Sequence, residues 1–226
     1  MSKLTQDFIR PDQELIDAFK EITAATVHEA FGRRGAVDSA IKPIYPGLRV
    51  LGSAFTVKTP AGDNFTIHAA LQLAKPGDVL VIDAGDYTEQ GSFGDVMATA
   101  ALSRGIAGLV TVTNGGVRDA ERIHKLGFPI FSRSISIKGT VKETFGEINQ
   151  PISFGGVTIN PGDLIIGDDD GIVAIPREKI EEVLAASRSR DEKEVKLRAQ
   201  IQQGKTIWEL HNVNALLKRN GINVEI

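Results

Sequence analysis

Three short apolar runs, DVLVID (78–83), GLVTVT (108–113) and FPIFSR (128–133), are separated by two helix-like segments, DVMATAALSRG (95–105) and DAERIHKLG (119–127). This alternation constrains the fold more than any other feature of the chain. A strand that returns through a helix to another strand lies parallel to it. Parallel strands are covered on both faces, which suits runs that are almost continuously apolar. Upstream, LRVLGSAFTVKT (48–59) reads as a further strand with a candidate bulge at Gly52, and NFTIHAALQLA (64–74) as a helix stopped by Pro76-Gly77.

The two ends differ from this centre. In PDQELIDAFKEI (11–22), Leu15, Ile16, Phe19 and Ile22 have helical spacing. TVHEAFGRRG reads as a short helix in which Thr26 and Glu29 form a capping box, ended by Gly32 or Gly35. The stretch ISFGGVTINPGDLIIGDDDGIVAIP (152–176) reads as β-hairpins joined by Asn-Pro-Gly-Asp and Asp-Asp-Asp-Gly turns, and a charged helix follows over 177–203. Its SRSRDEKEVKLR segment is a solvated face laced with i,i+4 pairs. These elements make an α/β chain with a mixed β/β/α core and helical ends.

Bulk properties narrow the function. The chain has 226 residues, 42% of them hydrophobic, enough for the core of one α/β domain. A net charge of −3 gives no basic footprint, so no nucleic-acid partner is expected. There is no cysteine and only four histidines. Disulfides and thiolate metal sites are excluded, and a metal held by oxygen ligands would be magnesium, calcium or manganese. No apolar run approaches the ~20 residues of a membrane span. MSKLTQDFIRPDQEL has no apolar signal-peptide core, so the expectation is a cytoplasmic protein without a membrane partner.

Two loops carry candidate chemistry. GSFGDVMATAA places Gly91 and Gly94 ahead of a helix N-terminus, where unpaired N–H groups and the helix dipole favour an anion. The spacing is not that of a nucleotide loop. An ordinary turn with Asp95 as N-cap is the bland alternative. NGGVRD (114–119) sets Arg118 beside Asp119 at the end of a strand, where α/β sheets bind ligands. Arg118 could clamp a carboxylate and Asp119 could hold a divalent cation. A surface ion pair at a helix start is the competing reading. If strands 78–83 and 108–113 are neighbours, both loops emerge at one edge.

Other residues have bland explanations. His68 either lines a site or faces a polar pocket. Lys58 is either a Schiff-base nucleophile or an outward-facing strand lysine. Asp168-Asp169-Asp170-Gly171 lacks the later Glu of an EF-hand and reads as a tight turn.

Taken together, AKPGDVLVIDAG, FGDVMATAALSRGIAGLV, NGGVRDAERIHKLGFPIFSR and GGVTINPGDLIIGDDDGIVAIP resemble the class II pyruvate aldolases. These are the 4-hydroxy-4-methyl-2-oxoglutarate / 4-carboxy-4-hydroxy-2-oxoadipate aldolases, and the family also contains the regulator of ribonuclease activity A. The likeness runs from about residue 23 to the C-terminal helix. It implies a swivelling β/β/α single domain over 1–226, with a core at about 23–176 and a helical extension at about 177–226. It also implies a homotrimer or homohexamer with sites between subunits. The implied activity is Mg²⁺- or Mn²⁺-dependent retro-aldol release of pyruvate, with oxaloacetate decarboxylation alongside. The alternative within the family is a non-catalytic regulator that binds a ribonuclease. By the resemblance Asp119 is the metal ligand and Arg118 contacts substrate. Gly94 and the N–H groups near Val96 and Met97 receive the pyruvate carboxylate. Asp95 orients a water, and Glu194 reaches the site from a neighbouring subunit. Two departures stand out. Twenty-two residues separate Asp95 from Arg118, two more than the family pattern. Arg122 stands where the family tends to have an acid, and Glu121 lies one residue earlier.

Overall fold

A computed structural model describes residues 4–85, 89–111 and 116–222. The first elements are α1 (Gln13–Asp17), α2 (Ala24–Ala30), β1 (Lys42–Pro43), β2 (Val50–Lys58), α3 (Phe65–Leu73) and β3 (Asp78–Asp83). Next come β4 (Gly91–Phe93), α4 (Asp95–Ser103), β5 (Gly108–Thr111), β6 (Gly116–Val117), α5 (Ala120–Leu126) and β7 (Ile130–Ser132). The chain continues through β8 (Glu147–Ile148), β9 (Ile152–Phe154), β10 (Val157–Ile159), β11 (Leu164–Asp168) and β12 (Gly171–Ile175). It ends with α6 (Ile180–Gln202), α7 (Ile207–Leu210) and α8 (Val213–Arg219).

The main sheet runs β1-β7-β5-β3-β2-β11-β12, with β8 also paired to β2. Its centre is parallel: β2 with β3, β3 with β5, and β5 with β7. The flanks are antiparallel. The sheet curls until its ends approach, and Lys42 Nζ on β1 donates to the Asp170 carbonyl at 2.6 Å. This is a mixed α/β domain whose sheet nearly closes into a barrel, with helices at the C-terminal end.

The period of two along each strand divides the core. Leu80 and Ile82 of β3 face Ile67 and Leu71 of α3, Met97 and Ala101 of α4, and Ile123 of α5. Val79 and Val81 point to the other side, into the curl, with Val50, Val110, Phe131, Ile165 and Ile172. A third cluster packs α1, α2 and the start of α6 against β11 and β12. Phe55, Phe93, Phe128 and Phe131 are all buried, each burial contributing roughly 1.5–3 kcal/mol.

Several local expectations are corrected. The N-terminal helix stops at Asp17, and Phe19 and Ile22 are buried from the turns that follow rather than from its face. The cap of α2 is Thr23, whose hydroxyl accepts from Thr26 N at 3.2 Å, so Thr26 and Glu29 are not the capping pair. A capping box does occur, at Thr206 and Glu209 of α7. Gly52 is no bulge, because β2 keeps register through it against β11. A Cβ there would lie 2.3 Å from the Gly77 carbonyl, so the glycine permits close backbone approach. The Asp-Asp-Asp-Gly turn does join β11 to β12, while Asn160–Asp163 links two hairpins.

The 23-residue α6 is about 35 Å long at 1.5 Å per residue. Its buried residues, Ile180, Val183, Leu184 and Ser187, all lie in its first eight. Beyond them α6 buries nothing, and neither do α7 and α8. This arm exposes Val195, Ile201, Ile207 and Leu216. Among the described residues no helix is long and apolar enough to cross a membrane.

Candidate functional site

The site forms where the strand pair β3 and β5 sends its outgoing chains to one edge. There β4 and β6 pair as a small parallel sheet, Gly91 opposite Gly116 and Phe93 opposite Val117. Asn114 and Gly115 of the expected turn lie outside the described residues. The pairing places the start of α4 beside Arg118 and Asp119, and Arg118 N donates to the Phe93 carbonyl at 2.9 Å.

Gly91 and Gly94 are needed for space here. Their backbones are extended, so the requirement is not a positive φ. A Cβ on Gly91 would sit 2.7 Å from Arg118 Cβ and 2.5 Å from the Ser136 carbonyl. One on Gly94 would sit 2.6 Å from Asp119 Oδ2 and 3.2 Å from Arg118 Nε. The two glycines therefore form the floor on which the Arg-Asp pair lies.

Asp119 occupies the left-handed region at φ 60°, ψ 33°. Aspartate visits that region at a cost, and such residues concentrate at functional sites. It stands at the N-cap of α5 yet makes no cap hydrogen bond. Its carboxylate turns instead to α4: Oδ2 accepts from Asp95 N at 3.4 Å and lies 3.4 Å from Arg118 Nε. A side-chain hydrogen bond also joins the Asp95 and Asp119 carboxyls.

Asp95 is the first residue of α4, and the N-cap is Gly94, which corrects the bland reading of Asp95 as cap. Its Oδ1 accepts from Val96 N at 2.9 Å and its Oδ2 pairs with Arg122 Nη1 at 3.2 Å. The Arg122 hydrogen bond, against a smaller opposing effect of burial, holds the Asp95 carboxyl below its ordinary range.

A cleft of about 210 Å³ opens in front of α4. Gly91, Gly94, Asp95, Val96, Met97 and Arg118 line it, so six of the residues singled out in the sequence converge, with Asp119 in contact with Gly94 and Asp95. His68 lines it too, from the exposed side of α3. Burial, and then the nearby Lys142 ammonium, pull the His68 pKa down, so the ring is mostly neutral at pH 7. Sequence reasoning missed Asn64, Ser92 and Lys142, which complete the walls. Asn64 is buried and donates through Nδ2 to the Ser92 carbonyl at 3.1 Å, which leaves its Oδ1 without a partner. Its place at the head of α3, after Asp63, was the available signal.

The remaining candidates lie elsewhere. Lys58 is exposed at the end of β2 and is not part of this cleft. Within one chain Glu194 does not line the cleft either; it sits on α6 between Arg190 at 3.0 Å and Arg198 at 3.4 Å. Among the described residues no group of three or more His, Asp or Glu converges as a ready-made metal cage. A cation at this site would therefore depend on Asp119, water and ligand oxygens. Magnesium commonly binds this way, through one or two carboxylates and retained waters.

The comparisons agree with this architecture. A protein of Halalkalibacterium halodurans named "Putative 4-hydroxy-4-methyl-2-oxoglutarate aldolase" is 39% identical over 177 residues, spanning 78% of this chain and 83% of its own. The crystal structure of Streptomyces coelicolor RraAS2, described as an unusual member of the RNase ES inhibitor RraA protein family, superposes with a TM-score of 0.75. It is 30% identical, over 85% of this chain and 99% of that one. An uncharacterized Pseudomonas syringae pv. tomato protein gives a TM-score of 0.77 at 26% identity, over 92% of this chain and 97% of its own. A family model described as Aldolase/RraA matches residues 16–174, the span that builds the curled sheet and both halves of the cleft, and the chain belongs to that RraA-like family.

Proposed function

We propose that the protein is a divalent-metal-dependent pyruvate aldolase. It cleaves a 4-hydroxy-2-oxo di- or tricarboxylic acid to release pyruvate, and it decarboxylates oxaloacetate as well. The observation that carries this reading is the Asp119 carboxylate, held in the left-handed region beside Arg118 at the open end of α4 and making no cap hydrogen bond to its own helix. The names of the aldolase relatives support the reaction class.

Asp119 would hold Mg²⁺ or Mn²⁺. When bound, the cation supplies Lewis-acid stabilisation of the charge that develops on the keto oxygen. Arg118 pairs with the substrate and adds fixed positive charge where the enolate forms. The N–H groups of Val96 and Met97, above the space left by Gly94, receive the pyruvate carboxylate. Asp95 orients a water that removes the hydroxyl proton of the aldol. Loss of that proton breaks the carbon–carbon bond to give a 2-oxo acid co-product and pyruvate enolate, which takes up a proton and leaves as pyruvate; loss of CO2 from oxaloacetate yields the same enolate. Lys142 places a further positive charge on the cleft wall, suited to a substrate with a second carboxylate.

The C-terminal arm supports an assembly. Among the described residues nothing covers its exposed Val195, Ile201, Ile207 and Leu216, as expected of a trimer or hexamer in which Glu194 of one copy completes the cleft of the next. We place this protein in the cytoplasm.

The second reading is a regulator that binds a ribonuclease, favoured by the RraA structures and by the same exposed arm. One experiment separates the two. Pyruvate release from oxaloacetate and from 4-hydroxy-4-methyl-2-oxoglutarate is followed by coupling to lactate dehydrogenase, with Mg²⁺, with Mn²⁺ and with EDTA. Turnover abolished by EDTA supports the enzyme. A folded, metal-loaded protein that turns over neither, and that retains a ribonuclease in pull-downs, supports the regulator.

A further inference from the structure

At α4 one of the two donors assigned to the substrate carboxylate is not free. Val96 N donates to Asp95 Oδ1 at 2.9 Å. Asp95 N faces Asp119 Oδ2 at 3.4 Å. The chain thus holds its own carboxylate on the N–H that an incoming 2-oxo acid needs. The other Asp95 oxygen is held from α5 by Arg122 Nη1 at 3.2 Å. Arg122 itself is fixed by the first turn of α5, where its N–H donates to the Asp119 carbonyl at 3.0 Å. Two anions cannot occupy one donor, so substrate binding requires Asp95 to leave Val96.

We infer that Arg122 is a positioning residue that latches Asp95 over the anion-binding end of α4, so that the 2-oxo acid must displace an internal carboxylate in order to bind. The inference rests on the aldolase reading above. The latch is weak enough to open in each turnover, because the Arg122 side chain is 75% exposed and such pairs are worth little. Its opening serves the chemistry, since an Asp95 released from Val96 is free to orient water at the substrate hydroxyl. A latch of this kind affects binding rather than the bond-breaking step, and that separates it from a merely structural ion pair.

Simple charge removal and latch release have opposite signs. Deleting a cation beside an anion site should weaken anion binding; releasing a competing carboxylate should strengthen it. The test uses oxalate, a planar dianion shaped like pyruvate enolate, titrated calorimetrically into Mg²⁺-loaded wild type and Arg122→Met. The expected result is tightening of two- to about fivefold in Arg122→Met, the range an exposed ion pair can contribute. KM for oxaloacetate should fall in parallel while kcat holds. Arg122→Lys, which still reaches Asp95, should restore the wild-type Kd. In an Asp95→Ala background, the further change Arg122→Met should no longer tighten binding. In the ligand-free protein, exchange of the Val96 amide with solvent should accelerate several-fold in Arg122→Met. Unchanged or weakened oxalate binding with unchanged Val96 exchange overturns the latch, even where wild type turns over and the aldolase reading stands. Wild type that neither binds oxalate nor releases pyruvate overturns the aldolase reading, and the latch with it.

Discussion

Two acidic turns in this chain look alike in sequence and differ in what the fold has done with their oxygens. In Asp168-Asp169-Asp170 the first two carboxylates are engaged. Asp168 Oδ2 accepts from Ala24 N, the first N–H of α2, at 2.8 Å from 144 residues away, while its Oδ1 accepts from Asp170 N at 3.1 Å. Asp169 accepts from Gly47 N at 2.8 Å. At Asp119 the carboxylate ignores the helix it begins and turns toward Arg118 and Asp95. An acid whose lone pairs satisfy backbone N–H groups is a structural group. An acid held in an uncommon backbone conformation with a lone pair to spare is available to a ligand. Counting acids in the sequence would rank the triple aspartate first; the hydrogen bonds reverse that order.

The sharpest way to break the contrast is Asp119→Asn. Asparagine tolerates the left-handed region, so the fold and melting temperature should hold. Turnover should fall by about three orders of magnitude, since a metal's stabilisation amounts to several kcal/mol and each ~1.4 kcal/mol is tenfold. Near-wild-type turnover from this variant would remove Asp119 from the chemistry. Gly94→Ala comes next. Its Cβ would meet Asp119 Oδ2 at 2.6 Å, and a displacement of about 1 Å in a catalytic group can cost roughly a hundredfold in kcat/KM. A Gly94→Ala enzyme with unchanged kcat/KM would mean that the Asp119 carboxylate is not held where it acts.

Asp168→Ala should show the opposite pattern, destabilising the protein by about 1–2 kcal/mol through the lost hydrogen bond to the first N–H of α2 while leaving kcat intact. Urea denaturation alongside the pyruvate assay reads both, and a loss of turnover without a loss of stability would reverse the roles of the two turns. The smallest effect is one of pH. Asp63 is buried, and burial pushes its pKa up. Hydrogen bonds from the N–H groups of Phe65, Thr144 and Glu143 outweigh that and hold it below the ordinary value. Its contribution to stability is therefore present above the unfolded value of about 3.9 and is lost as pH falls through the depressed folded value. Asp63→Asn should flatten the acid limb of a stability-versus-pH curve. An unchanged limb would take Asp63 out of the engaged class.

Much of the centre of the fold was legible. DVLVID is β3 without adjustment, and the segments read as helices at 64–74 and 95–105 became α3 and α4. Local periodicity decides such elements because both sheet faces are covered and each helix has one apolar side. The ends were less legible. Thr23 and Thr26 both precede a helical pattern, and only the path of the chain from α1 shows which one caps it. Half of the site could be read because the GSFGD and RD stretches are local turns with a local purpose. The rest, Asn64 and Lys142, carries no periodic or motif signal and joins the cleft from tens of residues away.

The sequence by itself determined the strand and helix alternation, the parallel centre of the sheet, the absence of thiolate chemistry and the adjacency of Arg118 and Asp119. All of these follow from covalent neighbours and from the repeat of side chains along one element. Only the tertiary structure decided which acids are engaged and which remain available, that Gly91 and Gly94 make room for the Arg-Asp pair, and that Arg122 of α5 reaches Asp95 of α4. Those outcomes depend on which oxygen meets which N–H across the sheet edge, a matter of distances in space that no local pattern encodes.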